Sequence, residues 1–136
     1  MGNRVFDLEL VIREQHLDTF GHVNNARYLE IFEQARWDFI TDNGFGLEYV
    51  RSSGTGPVIL ELSLKFVREL KNRQEVVVRS QLDSYEGKIG RMTQLIIDAT
   101  GQVFCEAKFV IALWDTRVRK LIEPTPEWRR AIGLSD

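Results

Sequence analysis

Between Asn25 and Asp42 the apolar residues Tyr28, Ile31, Phe32, Ala35, Phe39 and Ile40 recur at the i, i+3, i+4, i+7 spacing of a helix face. After Pro57 the spacing changes to two and stays there. This single change of period constrains the fold most, because one long helix must share a core with a run of strands. Leu29 and Trp37 lie off the main stripe, so the helix should be covered on more than one side. Asn24 stands where a side chain can cap its first turn, and Gly44 where the chain must leave it.

Ahead of the helix, Val5 to Arg13 alternates, with Phe6, Leu8, Leu10 and Ile12 on one face of a half-buried strand. Behind it, a short second helix is expected over Leu47 to Ser52, and the Ser53 to Pro57 run breaks structure. Leu60, Leu62, Leu64 and Phe66 then share one strand face, opposite Glu61, Ser63 and Lys65. Three long strands follow, Gln74 to Tyr85, Ile89 to Thr100 and Val103 to Trp114, joined by turns at Glu86-Gly87-Lys88 and Thr100-Gly101-Gln102. Pro124 and Pro126 precede a last short helix, Glu127 to Ile132. No linker or internal repeat interrupts this order, so residues 1–136 read as one α+β domain. It is a strand, a long helix and then four strands as a meander, with the helix on one face of a sheet of about five strands. Such a sheet cannot cover an apolar helix on every side, and a homodimer or homotetramer through sheet edges or helix faces is expected.

A net charge of −2 gives no basic field to draw the chain to nucleic acid or to a membrane surface, so an anionic ligand would need a local cation. Cys105 is the sole cysteine, which excludes an internal disulfide and suits a reducing compartment; its apolar neighbours suggest a small buried side chain. No run of apolar residues is long enough to span a bilayer, and a cytoplasmic location is expected.

The chemistry concentrates in HLDTFGHVNNARYLEIFEQARW, His16 to Trp37, where a polar loop with a carboxylate and two imidazoles runs into the start of the apolar helix. A helix N-terminus offers unpaired N–H groups and a partial positive charge, which stabilise an oxyanion as a tetrahedral intermediate forms. The backbone N–H of Asn25 is the favoured donor. Asp18, a few residues upstream, can attack a thioester carbonyl or activate a water for that attack. An Asp in this place also commonly caps a turn.

The D-x-x-G-H-V-N-N-A-x-Y pattern from Asp18 to Tyr28 resembles the signature of hotdog-fold thioesterases related to 4-hydroxybenzoyl-CoA thioesterase. With HLD before it and YLEIFEQARWDF after it, the stretch is similar to the bacterial long-chain acyl-CoA thioesterases of that family. The resemblance implies a hotdog fold, an antiparallel sheet wrapped around one long helix, and hydrolysis of acyl-CoA without a cofactor. It implies Asp18 as the catalytic carboxylate and the Asn25 N–H as the group polarising the carbonyl. His22 is the third candidate catalytic residue, its ring expected to hydrogen-bond the loop and hold Asp18 in place, with substrate contact as the other reading, and Tyr28 is a candidate substrate-binding residue. The family binds CoA phosphates near the turn that falls here at Glu86 to Lys88. Lys88 and Arg91 are the nearby candidates, fewer cations than in the 4-hydroxybenzoyl-CoA branch.

Other chemistries fit less well. His16, Asp18 and His22 have no metal-ligand spacing, and no metal is expected. The Ser52 to Pro57 stretch contains neither a nucleophile elbow nor the Gly-Lys-Ser/Thr of a phosphate loop. Glu33 is a candidate second acid, against the plainer reading of a solvated or interface charge. A hotdog dehydratase or hydratase would carry a G-H-F-P-G type motif, whereas Gly21-His22 runs into Val23-Asn24-Asn25. A non-catalytic acyl-CoA sensor of the known kind would add a DNA-binding helix-turn-helix, and none precedes Val5.

Overall fold

The computed structural model describes residues 2–135. In chain order the elements are β1 (Val5–Val11), a 3-10 turn (Glu14–His16), α1 (Asn25–Asp42), α2 (Leu47–Ser53), β2 (Thr55–Phe66), β3 (Glu75–Glu86), β4 (Ile89–Ile97), β5 (Val103–Asp115), β6 (Lys120–Ile122) and α3 (Pro126–Ala131). The strands form one antiparallel sheet in the order β1-β3-β4-β5-β2, with β6 as a short addition on β5. This is the expected α+β architecture, one long helix held against a curled sheet.

The topology corrects one expectation. β3, β4 and β5 form a meander, but β2 does not precede β3 in it: β2 lies at the far edge, paired along its length with β5, and β1 takes the place beside β3. The connection explains why. Residues 67–74 are too long for a tight hairpin, and they cross the end of the sheet. Val67 and Arg68 donate to Phe104 O, while at the other end Arg73 donates to Ile12 O and Ile12 to Gln74 O.

A second correction concerns faces. β2 carries a bulge at Leu60, because Ile59 pairs with Ile111 while Glu61 pairs with the adjacent Val110. Strict alternation would put Leu60 with Leu62, Leu64 and Phe66. The extra residue shifts the parity, so that Ile59 joins them opposite Ile111, Phe109, Ala107 and Cys105.

α1 buries the face its periodicity marks out: Tyr28, Ile31, Phe32, Ala35, Phe39 and Ile40 are all buried. Phe32 is fully enclosed and meets Phe109 of β5 edge-on at 6.1 Å, so its truncation to Ala should cost about 3–5 kcal/mol. Gln94 on β4, fully buried, ties helix to sheet. Its Nε2 donates to Phe32 O (3.1 Å) and Ser80 Oγ (2.9 Å), and its Oε1 accepts from Arg36 Nη1 (2.8 Å). Gly90 is where β4 is approached most closely, since a Cβ there would lie 2.7 Å from the Tyr85 ring.

The two sheet edges differ. β1 puts Asp7 and Glu9 on its exposed face, with Asp7 paired to Arg79, the usual protection of an edge. β2 instead leaves Ile59, Leu60, Leu62, Phe66 and the following Val67 substantially exposed beside its unpaired backbone.

Candidate active site

The loop ahead of α1 is a small closed structure. Leu17 and Val23 form an antiparallel bridge, Asp18 N donates to His22 O (2.7 Å), and Gly21 N donates to Asp18 O (3.1 Å). Gly21 takes φ +79, a conformation its lack of a Cβ makes accessible. Inside the turn, Asp18 Oδ1 accepts the N–H groups of Phe20 (2.9 Å) and His22 (3.1 Å). Both bonds fall on the same oxygen. Oδ2 has no hydrogen-bond partner among the described residues, so the carboxylate is oriented by the turn and keeps one oxygen available.

At the helix start the N–H groups can be counted. Ala26 N is capped by Asn24 Oδ1 (2.9 Å), and Arg27 N and Tyr28 N bond Asn24 O at 2.9 and 3.4 Å. The N–H of Asn25 has no partner among the described residues. It is the one donor of the first turn left open, beside the positive end of the helix dipole.

The two histidines have different settings. His16 is buried, its Nδ1 accepts from Arg13 N (2.9 Å), and its carbonyl accepts from Asn24 N (3.2 Å), so it joins the end of the 3-10 turn to the helix cap. Burial, and then the Arg27 charge, lower its pKa below the ordinary value. His22 supports Asp18 through its main chain. Its exposed ring turns instead to Glu69, with Nε2 to Oε1 at 3.0 Å. Tyr28 is buried one turn into α1 and meets Phe66 edge-on at 5.0 Å; burial is the main cause that raises its phenol pKa. Glu69 thus reaches His22 from the segment between β2 and β3. No sequence signal marks it, because it belongs to the irregular crossing segment and reaches the loop only through the fold.

Other candidates lie elsewhere in the chain. Lys88 sits in the β3–β4 turn, beyond Gly90, which pairs with Ile111; the first turn of α1, which follows the Asp18 loop, meets Phe66 through Tyr28, and Phe66 pairs with Cys105. Six residues of β5 separate these levels, about 20 Å at the strand rise of about 3.3 Å. Arg91 alternates with Gly90 and Met92 and therefore stands on the sheet face away from α1, in a surface groove with Glu61, Asp83 and Lys108. Glu33 is exposed, about 12 Å along the helix axis from Asn25. Among the described residues no three His, Cys, Asp or Glu side chains gather as a metal site, and no helix is long and apolar enough to cross a membrane.

Comparison with known proteins shows the family. Residues 12–132 match the family described as the thioesterase-like superfamily. The chain is 30% identical over 125 residues to the long-chain acyl-CoA thioesterase FadM of Escherichia coli (strain K12), covering 91% of this chain and 94% of that protein. It is 28% identical over 120 residues to a chloroplast acyl-acyl carrier protein thioesterase of Arabidopsis thaliana, covering 88% of this chain and 63% of that one. Among solved structures, the probable thioesterase YbaW from Escherichia coli superposes with a TM-score of 0.82 at 28% identity, covering 94% of this chain and 98% of that one. The chain therefore belongs to the thioesterase-like superfamily and is a hotdog-fold thioester hydrolase.

Proposed function

We propose that the protein hydrolyses acyl-CoA to a free acid and CoA, with Asp18 as the catalytic carboxylate. The observation that carries this reading is an oriented Asp18 carboxylate with one oxygen unbonded among the described residues, a few residues ahead of an Asn25 N–H likewise without a partner among them at the start of α1. The thioester carbonyl lies against the Asn25 N–H, which stabilises the negative charge that grows on its oxygen. Asp18 adds to the carbonyl carbon itself or takes a proton from a water that does. The C–S bond then breaks, the CoA sulfur leaves as a thiolate and is protonated, and water supplies the second oxygen of the acid. Tyr28 and Phe66 form an apolar wall beside the reacting group, and His22 holds the turn from its main chain.

The active unit in this reading is a homodimer formed through the exposed β2 edges. Two-fold pairing of antiparallel edges sets the Ile59 end of one β2 beside the Phe66 end of the other. The β3–β4 turn with Lys88, remote from Asp18 in its own chain, then stands near the loop of the other protomer and supplies a cation for the CoA phosphates. Thiol release from a series of acyl-CoA chain lengths, measured for the wild type and Asp18→Asn, tests the assignment. Near-wild-type turnover by the variant would overturn it.

A further inference from the structure

A pocket of about 80 Å³ opens between the middle of α1 and the sheet, lined mainly by apolar side chains including Trp37, Ile40, Ile59, Met92 and Trp128. Arg36 stands in its wall. The guanidinium lies over the Phe109 ring at 4.4 Å and makes a single hydrogen bond among the described residues, to Gln94 Oε1. Burial pulls its pKa down to about 10, with Glu33 opposing, so it remains a cation at neutral pH. Glu33, on the pocket rim, forms no ion pair with it among the described residues. A largely buried cation with spare donors and no ion-paired carboxylate among the described residues is costly, and a ligand oxygen that accepts from it offsets that cost.

Along β2 the inner-face side chains lead from the level of the proposed site to Ile59 in the pocket wall. The half-exposed inward side chains of β2, Phe66, Leu62 and Ile59, run from Tyr28 to its mouth, and the helix rise puts Glu33 about 12 Å and Ile40 about 22 Å from Asn25. An extended acyl group of about twelve carbons, with its thioester at Asn25, reaches past the level of Glu33 towards Arg36.

We infer that this pocket receives the far part of the acyl group and that Arg36 selects chains carrying an oxygen acceptor there, a hydroxyl, oxo or terminal carboxylate group, over plain saturated chains. The inference rests on the acyl thioesterase reading, and a binding measurement that needs no turnover separates the two.

The wild type should hydrolyse ω-hydroxydodecanoyl-CoA and dodecanedioyl-CoA with kcat/KM about 10-fold or more above dodecanoyl-CoA, the return on a hydrogen bond to a charged donor. Arg36→Met should collapse that ratio towards one, and Arg36→Lys should retain part of it. Calorimetry with the non-hydrolysable thioethers S-dodecyl-CoA and S-(12-hydroxydodecyl)-CoA, which differ only at the far end of the chain, should show the same order of binding and the same loss in Arg36→Met. A preference for both oxygenated CoA esters, or for the dicarboxylic one alone, supports the inference and identifies the acceptor. Equal kcat/KM for the three esters in the wild type overturns it, whatever the variants do. If no ester is hydrolysed, the thioesterase reading fails and the calorimetry decides the pocket by itself: equal binding of the two thioethers overturns the selectivity.

Discussion

The Asp18 carboxylate is held by the main chain of His22, at 3.1 Å from Oδ1 to the backbone nitrogen, while the His22 ring points away to Glu69. Asp18 is the proposed catalytic carboxylate, and its support comes from the main chain. The support survives replacement of the His22 side chain, and the two residues should behave very differently under substitution.

Asp18→Asn keeps a carbonyl oxygen to accept from Phe20 N and His22 N, so the turn and the thermal midpoint should change little, while the charge is lost. Removal of a base or nucleophile costs on the order of 10²–10⁴ in rate. Thiol-release kinetics together with calorimetric melting check both halves.

His22→Ala leaves every main-chain bond of the loop in place and removes an exposed contact to Glu69 worth about 0.2–1 kcal/mol. The expected loss in kcat/KM is less than about tenfold, since 1.36 kcal/mol corresponds to a factor of ten. A loss as large as that of Asp18→Asn would give the ring a direct part in the chemistry.

The exposed apolar edge of β2 predicts a homodimer at micromolar concentration. Leu62→Glu, placing a charge beside that edge, should shift sedimentation towards monomer and lower turnover with it. A wild-type monomer would remove the two-protomer site.

Lys88→Ala should raise KM for acyl-CoA a few-fold at low salt and leave kcat nearly unchanged. An exposed charge contact is worth about 0.2–1 kcal/mol and fades as salt screens it. Steady-state kinetics at two ionic strengths measure the effect, and an unchanged KM at low salt would take Lys88 out of the phosphate contact.

His16 makes stability depend on pH in the mildly acidic range. Its folded pKa is lowered from 6.5 by burial, so near and below that value the unfolded chain binds a proton that the folded chain refuses. The contribution is fully present above about pH 6.5 and is lost as pH falls from there. Urea midpoints at about pH 7.5 and 5.5 should therefore separate more for the wild type than for His16→Gln, which retains an acceptor for Arg13 N but does not titrate.

Local periodicity and caps are written in neighbouring residues. This is why α1 from Asn25 to Asp42, its Asn24 cap and the β3–β4–β5 meander could be read from the chain alone. The motif from Asp18 to Tyr28 likewise holds its carboxylate and helix start within a few residues of each other. The place of β2 was not local information: a crossing segment of ordinary composition carries the chain to the other edge of the sheet, and the Leu60 bulge moves Ile59 to the inner face. Only the tertiary structure brought Glu69 to His22, separated Lys88 and Arg91 from Asp18, and set Arg36 in a pocket wall beside Gln94. These relations join residues far apart in sequence through strand register and helix packing, and the periodicity of a single segment carries no trace of its partner.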